Sequence, residues 1–224
     1  MLDCGEGTTQ KLIQLKKIEG IKRIYFSHLH CDHFTGLFSL LWYYGINIRE
    51  QTLTILGPSE IEHATEQILK LLHTPDTLRT FPIEYIKLDD TEEIQQIKGV
   101  YDVKCVKTQH DPITFGYRIE EGGKTLCYTS DTAPTKRLEE LAENSHLLIT
   151  ESTLPQSMHK LAHQINHSTP KDAISLATKA KCDRLVLFHL SPTYFEEIKN
   201  SVKEYRQNFA GEILIARDLM TLEI

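Results

Sequence analysis

Four side chains that can bind a metal ion lie within six residues of this sequence, in the pattern H-x-H-x-D-H. They are His28, His30, Asp32 and His33. Neutral imidazole suits zinc, and a carboxylate adds a hard anionic oxygen. Alternate side chains of an extended segment point the same way, so His28 and His30 are expected to share one side. Asp32 and His33, past the bend, can serve a second ion. The pattern favours a metal site over a polar loop that is merely rich in histidine, and it leaves one or two ions open.

Three further residues of the same types follow predicted strands. His110 follows residues 101–108, Asp131 follows residues 124–129 and His189 follows residues 184–188. A lone histidine after a strand is more often a surface or supporting residue, so each is weak by itself. Strands of one sheet end near a common edge, however, and these ends could converge on the loop of residues 28–33. Seven ligands divide naturally between two metals: His28, His30 and His110 on one, Asp32, His33 and His189 on the other, and Asp131 bridging.

The rest of the chain alternates strands with helices. Apolar, β-branched runs predict strands at 21–26, 52–56, 84–88, 93–97, 101–108, 114–121, 124–129, 146–149, 184–188, 212–216 and 220–224. Helices are predicted at 10–18, 34–44, 59–73, 134–144 and 194–209, with another opening at 168–172 and an irregular loop at 154–166. This order predicts a mixed α/β fold, with two sheets face to face and helices on the outer faces. We expect one domain spanning residues 1–224.

Composition narrows the class of protein. The 224 residues are 40% hydrophobic and 25% charged, as in ordinary globular proteins, and the formal charge of −6 is unlike that of a dedicated nucleic-acid binder. The five cysteines are odd in number and widely spread, without a C-x-x-C pair. This number and spacing of cysteines favours a reducing, cytoplasmic setting. The sequence carries neither a signal peptide nor an apolar stretch long enough to span a membrane.

Six motifs resemble those of the metallo-β-lactamase fold superfamily, and within it most closely the ribonuclease Z family of tRNA 3′-end endonucleases. They are LDCGEGT at 2–8, HLHCDH at 28–33, His110 with FGYRI at 115–119, SDT at 130–132, NHST at 166–169 and FHLS at 188–191. The H-x-H-x-D-H pattern alone indicates only the superfamily. The NHST and FGYRI stretches point more narrowly to ribonuclease Z and its phosphodiesterase relatives.

The resemblance implies a four-layer αββα sandwich with two Zn²⁺ ions, other divalent metals being alternatives, and hydrolysis of a phosphodiester by a metal-bound hydroxide. Precursor tRNA is one candidate substrate, and a homodimer is suggested. Asp32 would act as general base, His167 would stabilise the transition state or protonate the leaving oxygen, and Asp3 would steady a histidine ligand. The alternative is a purely structural role for His167, as a residue at the start of a helix that packs against a sheet. One zinc would be held by His28, His30, His110 and Asp131, and the other by Asp32, His33, Asp131 and His189.

Departures from the family pattern leave the substrate open. Nothing precedes Met1-Leu2-Asp3, where the family has an opening strand pair, so we expect the true start to lie upstream. His110 and Asp131 are 21 positions apart, which leaves no room for the family's long tRNA-gripping arm. Residues 150–153 read TEST where the family has HEAT, and an arginine common just after the FHLS motif is replaced within residues 191–194. The alternatives are a phosphodiesterase for a small cyclic or nucleotide substrate and, from another class, an inactive metal-bound binding module.

Overall fold

The apolar runs assemble into two β-sheets, one in each of two parts of the chain. The protein is described here by a computed structural model covering residues 1–92, 94–99 and 101–224. The chain divides into two compact units, Met1–Thr91 and Glu92–Ile224, each with its own sheet. The mixed α/β class is therefore confirmed, whereas a single domain over residues 1–224 stays a prediction.

The first unit contains a parallel three-stranded sheet in the order β1-β2-β3. Its core is built from apolar residues of β2 and of the helix that follows the H-x-H-x-D-H segment, among them Leu53, Ile55, Leu37 and Leu40, all fully buried. The strands are β1 (Arg23–Tyr25), β2 (Leu53–Gly57) and β3 (Ile83–Lys87), and the helices are α1 (Thr8–Gln14), α2 (Cys31–Phe34), α3 (Gly36–Ile46) and α4 (Ile61–Leu71).

The first residues of the chain run beside β1. Leu2 forms a parallel bridge with Tyr25, and the Asp3 N–H donates to the Tyr25 carbonyl at 2.9 Å. The segment then crosses the backbone of the H-x-H-x-D-H loop at two glycines. A Cβ on Gly5 would lie 1.9 Å from the Asp32 carbonyl oxygen, and one on Gly36 would lie 1.9 Å from the Gly5 carbonyl oxygen. Glycine at both positions lets the two backbones pass in contact, and this holds Asp3 beside the loop.

Gly36→Ala should therefore destabilise the protein strongly. The added methyl group meets the backbone of Gly5, which cannot move aside as a flexible side chain would. We expect a loss of about 3 kcal/mol or more in the free energy of unfolding, measured by urea denaturation. Gly20→Ala is the matched control, because a Cβ there meets nothing within 4 Å. Equal midpoints for the two variants would contradict the close backbone crossing.

The second unit contains a seven-stranded mixed sheet in the order β10-β9-β8-β7-β6-β5-β4. Helices α5 and α7 pack on it, burying Leu138, Leu141, Ile174 and Ala177. The strands are β4 (Ile94–Ile97), β5 (Asp102–Lys107), β6 (Phe115–Glu121), β7 (Lys124–Tyr128), β8 (Leu147–Glu151), β9 (Arg184–Phe188) and β10 (Glu212–Ile215), and the helices are α5 (Lys136–Ala142), α6 (His159–Gln164), α7 (Pro170–Lys179) and α8 (Phe195–Tyr205).

Strand directions in this sheet place five strand ends at one edge, and candidate residues lie at four of them. β4 to β7 pair antiparallel, and β7 to β10 pair parallel. The carboxyl ends of β5, β7, β8, β9 and β10 therefore all point the same way. His110, Asp131 and His189 follow three of these ends, and Glu151 is the last residue of a fourth, β8.

Local sequence signals explain several boundaries. Gly122 and Gly123 both have positive φ, 56° and 76°, as the two-residue turn between β6 and β7 requires. Thr169 and Asp172 form a capping box at the start of α7, with the Thr169 N–H donating to Asp172 Oδ2 at 3.0 Å. Both features agree with the predicted strands at 114–121 and 124–129 and with the helix predicted to open at 168–172.

Other boundaries differ from expectation. Residues 154–166, predicted to be irregular, contain α6 and a 3-10 turn. Residues 220–224, predicted to be a strand, are not one, although their alternating pattern resembles a strand. Helix structure begins before residue 34, because Asp32 and His33 already lie in the single turn of α2. The predicted start of the strand at 93–97, Glu93, lies outside the described residues.

The described helices give no sign of a bilayer-spanning segment: none of them has both the length and the apolar character needed to cross a membrane.

Candidate metal centre

In the first unit, the H-x-H-x-D-H residues lie close together after β1. The ring centroids of His28 and His30 are 4.6 Å apart, and those of His28 and His33 are 4.2 Å apart. Asp32 Oδ2 lies 3.7 Å from His33 Nε2. His28 and His33 are buried, whereas His30 and Asp32 are exposed. The four side chains thus lie next to one another, with the carboxylate of Asp32 on the solvent side.

Asp3 fixes the orientation of this cluster through three hydrogen bonds. Its Oδ1 accepts the Ser27 N–H at 2.7 Å, and its Oδ2 accepts the Ser27 hydroxyl and His33 Nδ1, both at 2.8 Å. Because the Ser27 hydroxyl donates to Asp3, its oxygen accepts from His28 Nδ1, 3.0 Å away. Both histidines therefore carry their ring proton on Nδ1, and each presents the Nε2 lone pair.

Cys4, between Asp3 and Gly5, is not part of this donor set. Burial raises the pKa of its thiol to about 12, and the adjacent Asp3 carboxylate adds to the effect. A thiol that stays protonated is a poor metal ligand. Cys31, inside the loop, is exposed.

In the second unit, Asp131 lies between two histidines. Its Oδ2 is 4.0 Å from His110 Nε2 and 3.5 Å from His189 Nε2, and the Asp131 side chain is almost fully buried. His110 Nδ1 donates to the Asn166 carbonyl at 3.1 Å. His189 Nδ1 lies 2.8 Å from Thr153 Oγ1, whose own proton goes to Glu151. These histidines, too, carry the proton on Nδ1 and present Nε2 toward the carboxylate.

His167 lies against this cluster. Its ring stacks on His189 with centroids 5.6 Å apart and planes 10° apart, and it meets the His110 ring edge-on at 4.9 Å. Donor atoms of Asp131, His167 and His189 all lie within 4.8 Å of one another. His167 therefore lies with the candidate residues of the second unit, and its role in catalysis stays a prediction.

Glu151 is the residue that sequence reasoning missed. Its carboxylate is fully buried and accepts from His167 Nδ1 at 2.9 Å, Thr132 N–H at 2.6 Å, Ser168 N–H at 3.0 Å and the Thr153 hydroxyl at 2.6 Å. The same side chain thus supports His167 directly and His189 through Thr153. The signal was present in the TEST stretch, since its glutamate and final threonine occupy the positions they have in HEAT.

Three residues with a strained backbone lie at the same edge of the sheet. Ser130, Asn166 and His189 all have φ between 54° and 58°, a region that residues other than glycine rarely adopt. Ser130 precedes Asp131, Asn166 precedes His167, and His189 is itself a candidate site residue. Such clusters are typical of functional sites, where the surrounding structure holds the strained residues in place.

The donor chemistry fits zinc. Each unit contributes imidazole nitrogens with fixed tautomers and at least one carboxylate, the ligand types that zinc sites use. His28, His30, Asp32 and His33 lie in the first unit, and His110, Asp131, His167 and His189 lie in the second. Protein atoms engage the Nδ1 protons of His28, His33, His110 and His189, as expected of histidines poised to bind metal.

Comparison with known proteins gives consistent matches. A family profile described as "Beta-lactamase superfamily domain" matches residues 1–190. Ribonuclease Z of Archaeoglobus fulgidus is 27% identical, with 100% of this chain and 88% of the relative covered. That alignment spans 278 positions, more than the 224 residues of this chain, so the relative has segments without a counterpart here.

Solved structures give the same result. The short form of human tRNase Z is 28% identical, with a TM-score of 0.81 and coverage of 100% of this chain and 87% of that one. The metallo-beta-lactamase fold protein YhfI of Bacillus subtilis also has a TM-score of 0.81, with 24% identity and coverage of 99% and 86%. The latter likeness concerns the fold alone.

Proposed function

Because the chain belongs to the beta-lactamase superfamily, we propose that it is a dinuclear zinc phosphodiesterase of the ribonuclease Z type that processes the 3′ end of precursor tRNA. The observation that carries the proposal is the pairing of His167 with the buried Glu151 next to Asp131 and His189. Hydrolysis of a phosphodiester needs a proton for the leaving oxygen, and this pair is suited to supply it. Similarity to ribonuclease Z over the whole chain supports the same substrate class.

The proposed ligand set is the one that the family resemblance implies. His28, His30, His110 and Asp131 would hold one zinc, and Asp32, His33, Asp131 and His189 the other. The shared Nδ1-protonated state of four of these histidines supports this assignment, since it makes Nε2 the donor atom in each. That residues 1–224 form a single domain is also part of the proposal.

Zinc bound at such a centre supplies Lewis acidity toward the phosphoryl oxygens and lowers the pKa of a nearby water. Side chains of the protein carry out the proton transfers. Asp32, exposed beside His33, accepts the proton of the attacking water. His167 donates a proton from Nε2 to the leaving oxygen, while the Glu151 carboxylate at Nδ1 stabilises the positive charge on the ring.

A phosphodiesterase for a small cyclic or nucleotide substrate is the second candidate. It is favoured by the hairpin of β6 and β7, which fills the interval between His110 and Asp131 and leaves no arm there to grip a tRNA body. A metal-bound module without activity is the third, and it predicts metal binding but no hydrolysis of any ester.

One assay separates the three. Purified protein loaded with zinc should cleave a precursor tRNA at its 3′ trailer and should also hydrolyse bis(p-nitrophenyl) phosphate. Cleavage of the small ester alone would favour the second candidate, and hydrolysis of neither would favour the third. Metal content is measured in parallel. About two zinc ions per chain are expected, with a loss in His28→Ala, and a content near zero would contradict the dinuclear proposal.

Asp3→Asn should weaken zinc binding without abolishing it. The amide can accept only through one atom, so either the Ser27 N–H loses its acceptor or the Ser27 hydroxyl and His33 both do. In either case the Nδ1 proton of His33 is no longer held by a charge. We expect zinc affinity to fall about 10- to 100-fold in a chelator competition assay. Asp90→Asn is the control, because Asp90 also accepts from a serine N–H and hydroxyl, those of Ser59, but touches no proposed ligand. Equal affinities in the two variants would argue against the positioning role of Asp3.

A cytoplasmic location and a homodimer complete the proposal. Five free cysteines support a reducing compartment, and burial keeps the thiols of Cys4, Cys105 and Cys182 protonated, with pKa values of about 12, 12 and 11. Sedimentation of the purified protein tests the dimer, and a monomer at micromolar concentration would exclude it.

A further inference from the structure

A groove of about 530 Å³ opens beside His189 in the second unit. One wall comes from the end of β9 and the start of α8, with Phe188, Leu190 and Phe195. The other wall follows β10 and includes Arg217 and Asp218. Neither wall has a role in the chemistry described so far, although the groove begins at a proposed zinc ligand.

The position of the groove follows from the sheet. β9 and β10 are parallel neighbours, with Leu187 opposite Ile215 at their ends. Residues that leave the two strands therefore emerge side by side, at the edge of the sheet that also carries Asp131 and Glu151. A ligand in the groove lies next to the reacting centre and in line with the strand ends.

The lining is suited to a flat aromatic ring carried by an anion. Phe195 is 38% exposed, and Phe188 and Leu190 are partly exposed, so the groove presents apolar surface to solvent. Lys199 lies 5.3 Å from the centroid of the Phe195 ring and bonds Glu196, which restrains the ring and lowers the entropy lost when another ring stacks on it. Nucleobases stack on aromatic side chains without regard to sequence.

The charged residues of the groove restrict further which ligands it can bind. Arg217 is exposed and can hold one phosphate, while Asp218 beside it reduces the net positive charge of that wall. A polyphosphate or a long stretch of backbone would meet this carboxylate, whereas a neutral base with a single flanking phosphate would not. The carboxylate can also accept from a sugar hydroxyl or a base N–H.

We propose that this groove binds the nucleotide adjoining the cleaved phosphodiester, with the base against Phe195 and a flanking phosphate at Arg217. The inference rests on the proposed function, since it names the part of that substrate which the chain reads next to the reacting centre. It makes base stacking, and not the arm of larger relatives, a source of substrate affinity.

Two esters with the same leaving group test the role of Phe195. The p-nitrophenyl ester of thymidine 5′-phosphate carries a base, and methyl p-nitrophenyl phosphate does not. Phe195→Ala should lower kcat/KM for the nucleotide ester about tenfold more than for the methyl ester, the effect expected when one stacked base is lost. Leu161→Ala, which trims an exposed apolar side chain of α6, is the control and should show no such difference.

Equilibrium binding gives a readout that does not depend on turnover. Wild-type protein should bind AMP more tightly than ribose 5-phosphate in calorimetry, Phe195→Ala should remove that preference, and Arg217→Ala should weaken both ligands several-fold. Lys203→Ala, which removes an exposed cation of α8, should weaken neither.

The outcomes separate this inference from the proposed function. If the wild type cleaves neither ester nor precursor tRNA, the proposed function fails and the inference falls with it. If the wild type is active but Phe195→Ala affects both esters equally and AMP binds no better than ribose 5-phosphate, the inference alone is overturned.

Discussion

Asp131→Asn should release most of the bound zinc and slow phosphodiester hydrolysis by about 10⁴-fold. The carboxylate is 1% exposed, and its Oδ2 lies 4.0 Å from His110 Nε2 and 3.5 Å from His189 Nε2, so it is placed to serve ions on both histidines. An amide keeps the shape but removes the negative charge that Asp131 would contribute to the proposed zinc centre. A loss of several kcal/mol of charge stabilisation corresponds to this change in rate, since each ~1.36 kcal/mol is tenfold.

The measurement combines zinc content per chain, the rate on bis(p-nitrophenyl) phosphate and a circular dichroism spectrum that reports folding. Asp183→Asn is the control, because Asp183 is an exposed aspartate of the same unit and lies before β9. It should keep its zinc and its rate. An Asp131→Asn protein that retains both ions and near-normal activity would rule out the bridging role.

His167→Ala should lower kcat far more for RNA than for a p-nitrophenyl ester, because the two substrates have different leaving groups. A ribose oxygen is a poor leaving group and needs a proton as it departs, whereas p-nitrophenolate departs without one. We therefore expect kcat on RNA to fall about 10²- to 10⁴-fold, the usual contribution of general acid catalysis, and kcat on the p-nitrophenyl ester to fall much less. Zinc content should stay unchanged, because His167 is not among the proposed ligands.

His163→Ala is the matched control for this variant. His163 also pairs with a carboxylate, its Nε2 lying 2.9 Å from Asp172 Oδ2, but it is exposed on α6. Its loss should change neither substrate. Glu151→Gln should reproduce the leaving-group dependence of His167→Ala, because it removes the charge at His167 Nδ1. Loss of zinc from His167→Ala would instead make His167 a ligand, as its distance to Asp131 and His189 permits.

The sequence was sufficient where chemistry or turn geometry is local. His28, His30, Asp32 and His33 are visible as one site because they are nearly contiguous, and the β6–β7 turn is visible because two adjacent positions need positive φ. The helix start at Thr169 is visible for the same reason, since a capping box spans only four residues.

The sequence was insufficient where partners are distant. Glu151 and His167 are 16 residues apart and meet only because β8 ends at the edge that the NHST stretch also reaches. The error at residues 220–224 has a different cause. Their alternation fits a strand, but β10 is the last strand in the order of the sheet, and the Glu223 carbonyl bonds the Arg184 side chain instead of a neighbouring strand.

The hydrogen bonds that fix the histidine tautomers have a consequence for how the protein matures. His28, His33, His110 and His189 are oriented by Ser27, Asp3, the Asn166 carbonyl and Thr153, which are all atoms of the chain itself. The orientation of these rings does not depend on a bound ion. We therefore expect the protein to fold without zinc and to stay folded when a chelator removes the metal, unlike a zinc finger, whose fold is lost with its ion.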